Sequence, residues 1–170
     1  MKNKENTRQK LFLLLCIIGC EAAGGIGAVF TTPKIDTWYR TLEKPFFNPP
    51  DWIFFPVWTV LYALLGVVLF LLFRAHQKKP SKTTQLALTL FFVQLVMNTA
   101  WSILFFGLEQ LFVSAIEIIV FWVVTLVLCI ISFRLDRRVS YLLFPYLAWV
   151  AFAAALNWSI WFLNRCGCSV

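Results

Sequence analysis

The chain has 170 residues, of which 61% are hydrophobic and 14% charged, and its mean hydropathy is +0.79. A soluble domain of this size could not bury so much apolar surface, so composition excludes a soluble globular protein and places the chain in a bilayer. The net charge of +7 does not point to nucleic acid, because no nucleic-acid-reading motif accompanies it.

Apolar runs of about 20 residues, the span of a hydrocarbon core, occupy 11–30, 52–73, 85–106, 111–133 and 139–163. They lack the alternation of barrel strands, and backbone amides in lipid must pair within their own segment. The expected fold is therefore all-α: a polytopic membrane protein, a bundle of five transmembrane helices forming a single domain over 1–170.

The first run follows Lys2, Lys4, Arg8 and Lys10. The stretch LFLLLCIIGC has the outline of a secretory signal, and Ile17-Ile18-Gly19-Cys20 resembles a lipoprotein processing box. The apolar stretch continues through AAGGIGAVF, which favours an uncleaved first helix. Gly19, Ala23 and Gly27 repeat at four-residue spacing, the small-residue pattern that lets helices approach closely. Glu21, near the middle of this helix, is costly in lipid and so a functional candidate by default.

Residues 31–51 form the only long connector and are expected to lid the bundle. From Trp38 to Tyr62 the chain reads WYRTLEKPFFNPPDWIFFPVWTVLY, with nine aromatic residues and four prolines. Prolines fix φ and aromatic rings offer flat apolar surface, so the segment reads as a rigid aromatic cap running into the second helix. On that helix Phe55, Trp58, Tyr62 and Gly66 share a face. Trp38 and Trp52, near predicted helix ends, fit an interfacial tryptophan belt equally well.

His76, the only histidine, stands in the charged connector RAHQKKPSKTT at the opposite membrane surface, as a solvated loop residue. The aromatic cap thus has no histidine to offer a haem iron. The third helix carries the row Gln94, Asn98, Trp101 and Phe105, and the four residues 107–110 make it an antiparallel hairpin with the fourth. Glu117, seven residues into the fourth helix, is placed to reach the outer interface and is the weaker carboxylate candidate. The fifth helix carries Pro145, Trp149, Ala153 and Asn157, with Asn164 beyond. Amides in hydrocarbon need partners, so these rows should face inward.

Cys16, Cys20 and Cys129 sit in apolar helices as small hydrophobes, and Cys166 and Cys168 are spaced too closely for CxxC chemistry. No metal site, cofactor or hydrolytic triad is suggested. Eleven of the fifteen basic residues fall on one membrane side, which puts the N-terminus in the cytoplasm and the C-terminus outside if the membrane is a bacterial inner membrane.

Three separated motifs carry a resemblance: WY..L.KP...PP.W.F..VWT.LY from Trp38 to Tyr62, Q...N..WS..FF from Gln94 to Phe106, and PY..W..FA..LN from Pro145 to Asn157. Together they resemble the translocator protein family, the TspO/MBR group of tryptophan-rich sensory proteins and peripheral-type benzodiazepine receptors. The resemblance runs in order from about Gly19 to Asn164.

It implies a five-helix bundle, often a homodimer, whose first connector lids a pocket. The partners it implies are the lipid bilayer and a porphyrin such as protoporphyrin IX or another hydrophobic small molecule, including synthetic benzodiazepine and isoquinoline carboxamide ligands, and no nucleic acid. The pocket tryptophans fall on Trp58 and Trp149, the helix-three amide on Asn98, and the small position one turn after Trp149 on Ala153. With the inward rows and the connector, the candidate ligand-binding set is Trp38, Pro45, Phe55, Trp58, Tyr62, Gln94, Asn98, Trp101, Phe105, Trp149, Ala153 and Asn157. Some bacterial members promote light- and oxygen-dependent porphyrin breakdown, which would make Trp58 and Trp149 the candidate catalytic residues. The family's cholesterol consensus is only partly met, because Trp158 and Trp161 stand where a tyrosine is wanted. Two other readings stay open: a transporter of porphyrins or sterols, and a ligand-dependent stress sensor or scaffold.

Overall fold

The computed structural model describes residues 2–165, with side chains from Lys4 onward, so the tail cysteines Cys166 and Cys168 lie outside the described residues. Five helices are long and apolar enough to cross a membrane: α1 Lys2–Lys34, α2 Phe54–Lys78, α3 Lys82–Ser102, α4 Leu111–Leu135 and α5 Arg137–Asn164. No strand occurs among the described residues. Each of α1, α3 and α5 packs antiparallel to the helix that follows or precedes it in the chain, and the bundle closes as a ring in the order α1, α2, α5, α4, α3.

Helix ends follow from local hydrogen bonding. α3 begins three residues before the apolar run because Ser81 and Thr84 cap each other, Ser81 Oγ accepting from the Thr84 amide at 3.2 Å and Thr84 Oγ1 from the Ser81 amide at 3.0 Å. α5 begins at Arg137 because the Asp136 carboxylate accepts from the Arg138 backbone N–H at 3.0 Å. The Arg138 guanidinium closes on the same carboxylate at 3.1 Å and holds its carboxyl below the usual range.

The start of the connector departs from expectation. α1 runs on through Pro33 and is extended by a wide helical turn, Ile35–Tyr39, so irregular chain begins only after Thr41. The polar stretch from Thr31 to Thr41 reads as loop, yet its hydroxyls serve the helix: Thr31 Oγ1 donates to Gly27 O at 3.1 Å, Thr37 Oγ1 to Pro33 O at 2.9 Å and Thr41 Oγ1 to Trp38 O at 2.7 Å. α1 therefore carries Trp38 and Tyr39 over the bundle on a rigid stalk.

Small residues set how closely α1 approaches. Gly66 of α2 meets the α1 backbone at Ile17, Gly24 lies under the Tyr62 ring, and Gly27 lies against Ser102. The expected row of Gly19, Ala23 and Gly27 drifts about 40° per step on a helix. Its start, Gly19, consequently leaves the packed arc of Cys16, Cys20 and Gly27 and faces open space. Phe91, Phe121, Leu65, Leu128, Leu143 and Tyr146 fill the centre, while Leu14, Ile18, Val96 and Ile130 turn outward to lipid.

Candidate functional site

Beneath the connector the ring of helices encloses a continuous aromatic core in two layers. In the layer next to the connector, the stalk sets Trp38 against Phe105 with ring centroids 5.6 Å apart and Tyr39 against Phe106 at 5.6 Å. Trp101 stacks on Phe105 at 5.1 Å, and its indole Nε1 donates to Asn157 Oδ1 at 3.0 Å. Asn157 in turn donates from Nδ2 to the Leu111 carbonyl at 3.0 Å, so one amide ties α3, α4 and α5 together.

The deeper layer centres on Tyr146, which is fully buried. Its hydroxyl accepts from Asn98 Nδ2 at 2.7 Å and donates to Gln94 Oε1 at 2.8 Å. Trp58 packs against Tyr62 at 5.8 Å and Tyr146 at 6.5 Å, and Phe121 closes the far side at 6.1 Å. Between the layers, Trp149 lies against Phe54 at 6.1 Å and Phe152 at 5.4 Å. Two donors in this core are buried and unpartnered: Trp149 Nε1 and Gln94 Nε2.

The structure brings together Trp38, Trp58, Tyr62, Gln94, Asn98, Trp101, Phe105, Trp149 and Asn157, with Ala153 buried one turn beyond Trp149. Two candidates fall elsewhere. Phe55 is 78% exposed. It shares an angular position with Gly66, which packs on α1 at Ile17, but the ring that turns inward at this end of α2 is Phe54, against Trp149. Pro45 lines a groove of about 610 Å3 outside the core, between the connector and the end of α5, with Lys44, Phe46 and Trp158.

Tyr146 is the main residue that sequence reading missed. The expected fifth-helix row starts at Pro145, which is exposed and lies off the buried face. The face that is buried runs Tyr146, Val150, Ala153, Asn157 and Ile160. A phenol among amide-bearing rows was the available signal, since Gln94 and Asn98 need a partner in hydrocarbon.

Polar ties hold the connector over the core. Tyr39 OH donates to Asn48 Oδ1 at 2.9 Å, and Lys34 pairs with Glu109 at 2.6 Å. Asn164 grips the backbone of Glu43 twice, accepting from its N–H at 3.1 Å and donating to its C=O at 3.0 Å. Glu21 is half-buried on α1 without an ion pair or hydrogen bond among the described residues. Glu117 does not reach the outer interface: both its carboxylate oxygens are buried and unpartnered. No cluster of three metal-ligating side chains occurs among the described residues.

Such a core offers flat apolar faces and few polar contacts, which suits a planar hydrophobic guest better than a charged or sugar-like one. The model of the TspO/MBR family matches residues 16–162. The chain is 40% identical to the tryptophan-rich protein TspO of Archaeoglobus fulgidus over 91% of its length and 97% of that protein's. It is 34% identical to the tryptophan-rich sensory protein of Cereibacter sphaeroides, over 91% of each chain. With the translocator protein of Bos taurus it shares 33% identity over 91% of its own length and 88% of the other's.

Proposed function

The chain belongs to the TspO/MBR family, and from that premise we propose that it is a membrane receptor for a flat hydrophobic molecule, a tetrapyrrole of the protoporphyrin IX type. It is an integral multi-pass membrane protein. The observation that carries the reading is the pair of unused donors, Trp149 Nε1 and Gln94 Nε2, inside an otherwise aromatic core. Each unsatisfied buried donor costs about 1–3 kcal/mol, and a ligand carboxylate or carbonyl reaching them would remove that cost. Carbonyl-bearing benzodiazepine and isoquinoline carboxamide ligands fit the same requirement.

The roles divide by position. Trp58, Tyr62 and Trp149 supply stacking faces, Trp38, Trp101 and Phe105 close the connector side, Asn98 and Asn157 hold the helices in register, and Ala153 keeps space beside Trp149. The aromatic core is already filled by its own rings, so a guest enters as the connector and Trp58 give way. Burying several hundred Å2 of a porphyrin at about 25 cal/mol per Å2 supplies several kcal/mol toward that rearrangement. Under light, molecular oxygen is the oxidant that accepts the electrons bound porphyrin loses and is itself reduced, with Trp58 and Trp149 as redox partners of the excited ring. The protein works as a homodimer with its basic end in the cytoplasm.

Titration with protoporphyrin IX, followed by fluorescence quenching in the dark and absorbance loss under light, tests this. Saturable binding is expected, with breakdown slowed in Trp58→Phe with Trp149→Phe. Unsaturable binding would remove the receptor, and unchanged breakdown would remove the catalytic tryptophans.

A second reading, a transporter of porphyrins or sterols, draws on Glu117, since an unpaired carboxyl deep in a bundle commonly marks a path for ions or protons. Flux into proteoliposomes that disappears in Glu117→Gln while equilibrium binding persists would favour it.

A further inference from the structure

At the end of the bundle away from the aromatic core, the last turns of α2 and the turn between α4 and α5 enclose a groove of about 270 Å3. Arg74 and Lys78, one turn apart on α2, line one wall, and Asp136 and Arg138 line the other. One turn deeper along α2 stands Leu71, facing Leu135 at the end of α4. The groove thus sits where the apolar span of α2 ends, cationic at its mouth and apolar at its membrane side.

Its charges are unevenly matched. The Asp136 carboxylate is occupied by Arg138, through Nε at 3.1 Å, Nη2 at 3.1 Å and the backbone N–H. Arg74 and Lys78 have no carboxylate partner among the described residues, and the Arg74 guanidinium rests 5.6 Å over the Phe70 ring. Lys78 exerts a Coulombic pull on Asp136 without pairing with it, and with three cations against one carboxylate the groove keeps a net positive charge above two leucines, at the depth of the lipid headgroups.

We infer that this groove is a binding site for an anionic phospholipid of the surrounding leaflet. Its phosphate lies between Arg74 and Lys78, and its glycerol and upper acyl carbons lie against Leu71 and Leu135. A free phosphate would meet the cations but gain nothing from the leucines, whereas a lipid satisfies both without leaving its leaflet. The neighbouring Lys79 and Arg134 are exposed on the same surface outside the groove and add only to the general attraction of the membrane.

The test is native mass spectrometry of the full chain, released from micelles doped with phosphatidylglycerol, phosphatidylcholine or soluble glycerol 3-phosphate. Wild type should retain phosphatidylglycerol in preference to phosphatidylcholine, and Arg74→Gln with Lys78→Gln should lower that retention about tenfold. Lys79→Gln with Arg134→Gln removes the same charge from outside the groove and should change retention less than about twofold. Equal loss in both double variants would reduce the effect to diffuse surface charge and overturn the site. Equal retention of the two lipids, or displacement of phosphatidylglycerol by matched glycerol 3-phosphate, would overturn it too.

Discussion

The two layers of the aromatic core are built by different means. The deeper one is locked: Tyr146, Asn98 and Gln94 exchange short hydrogen bonds where water does not reach, and a phenol there has no alternative partner. In the layer beside the connector Trp101 is hydrogen-bonded to Asn157, but Trp38 and Tyr39 above it meet the core through ring contacts with Phe105 and Phe106, and the connector is tied down by a few polar groups at the rim. In the proposed receptor the hydrogen-bonded centre around Tyr146 is the fixed surface that orients a guest, and the connector with Trp58 is the part that gives way. In a bundle where lipid already solvates apolar side chains, hydrogen bonds decide which part stays put.

The comparison breaks most readily at Tyr146. Tyr146→Phe leaves Asn98 and Gln94 each short of a buried partner and should cost about 2–4 kcal/mol, read as a lower thermal midpoint in detergent. A midpoint unchanged within error would show that the deeper layer is not locked. Next in size, Ala153→Leu adds bulk beside Trp149; overpacking of about 1–3 kcal/mol should appear mainly as weaker porphyrin binding, by tenfold or more. If binding holds and stability alone drops, Ala153 is packing and not wall.

Asn164→Ala should cost only about 1 kcal/mol of stability while accelerating ligand association and release together, visible in stopped-flow fluorescence. Rates that stay at wild-type values would mean the connector is no cover. Lys34→Ala removes an exposed pair and should shift stability by about 0–1 kcal/mol, less at high salt.

The smallest effect lies at the far end. The Asp136 carboxyl is held below its ordinary value, so its contribution is complete above the unfolded carboxylate pKa of about 3.9 and fades as pH falls through the lower folded value. Asp136→Asn keeps a capping side chain and should flatten that acid-side slope, seen by unfolding at pH 3 against pH 6.

The five helices were legible because a bilayer demands long apolar runs, and the amide rows were legible because amides in hydrocarbon must be paired. Periodicity placed Trp58, Asn98, Trp101 and Asn157 in the interior for that reason. It failed at Phe55, since an angular position says which way a side chain points and not whether a neighbouring helix has reached that height. It failed at Ile35–Tyr39 because threonine hydroxyls supplied bonds that a polar, proline-containing stretch does not advertise. Tyr146 was overshadowed by its neighbouring proline, although the unpaired amides opposite already called for a hydroxyl.

Gly24 lies on a helix that otherwise looks like a lipid-facing buttress, yet a Cβ there would fall 2.5 Å from Cε2 of Tyr62. A single methyl at that position would drive the ring toward Trp58 and consume the room a guest has to win. Gly24→Ala would thus behave as an internal competitor, tethered and always present, raising the ligand concentration needed for half-saturation without touching the ligand. The breadth of the receptor's inner wall is set by what α1 leaves out.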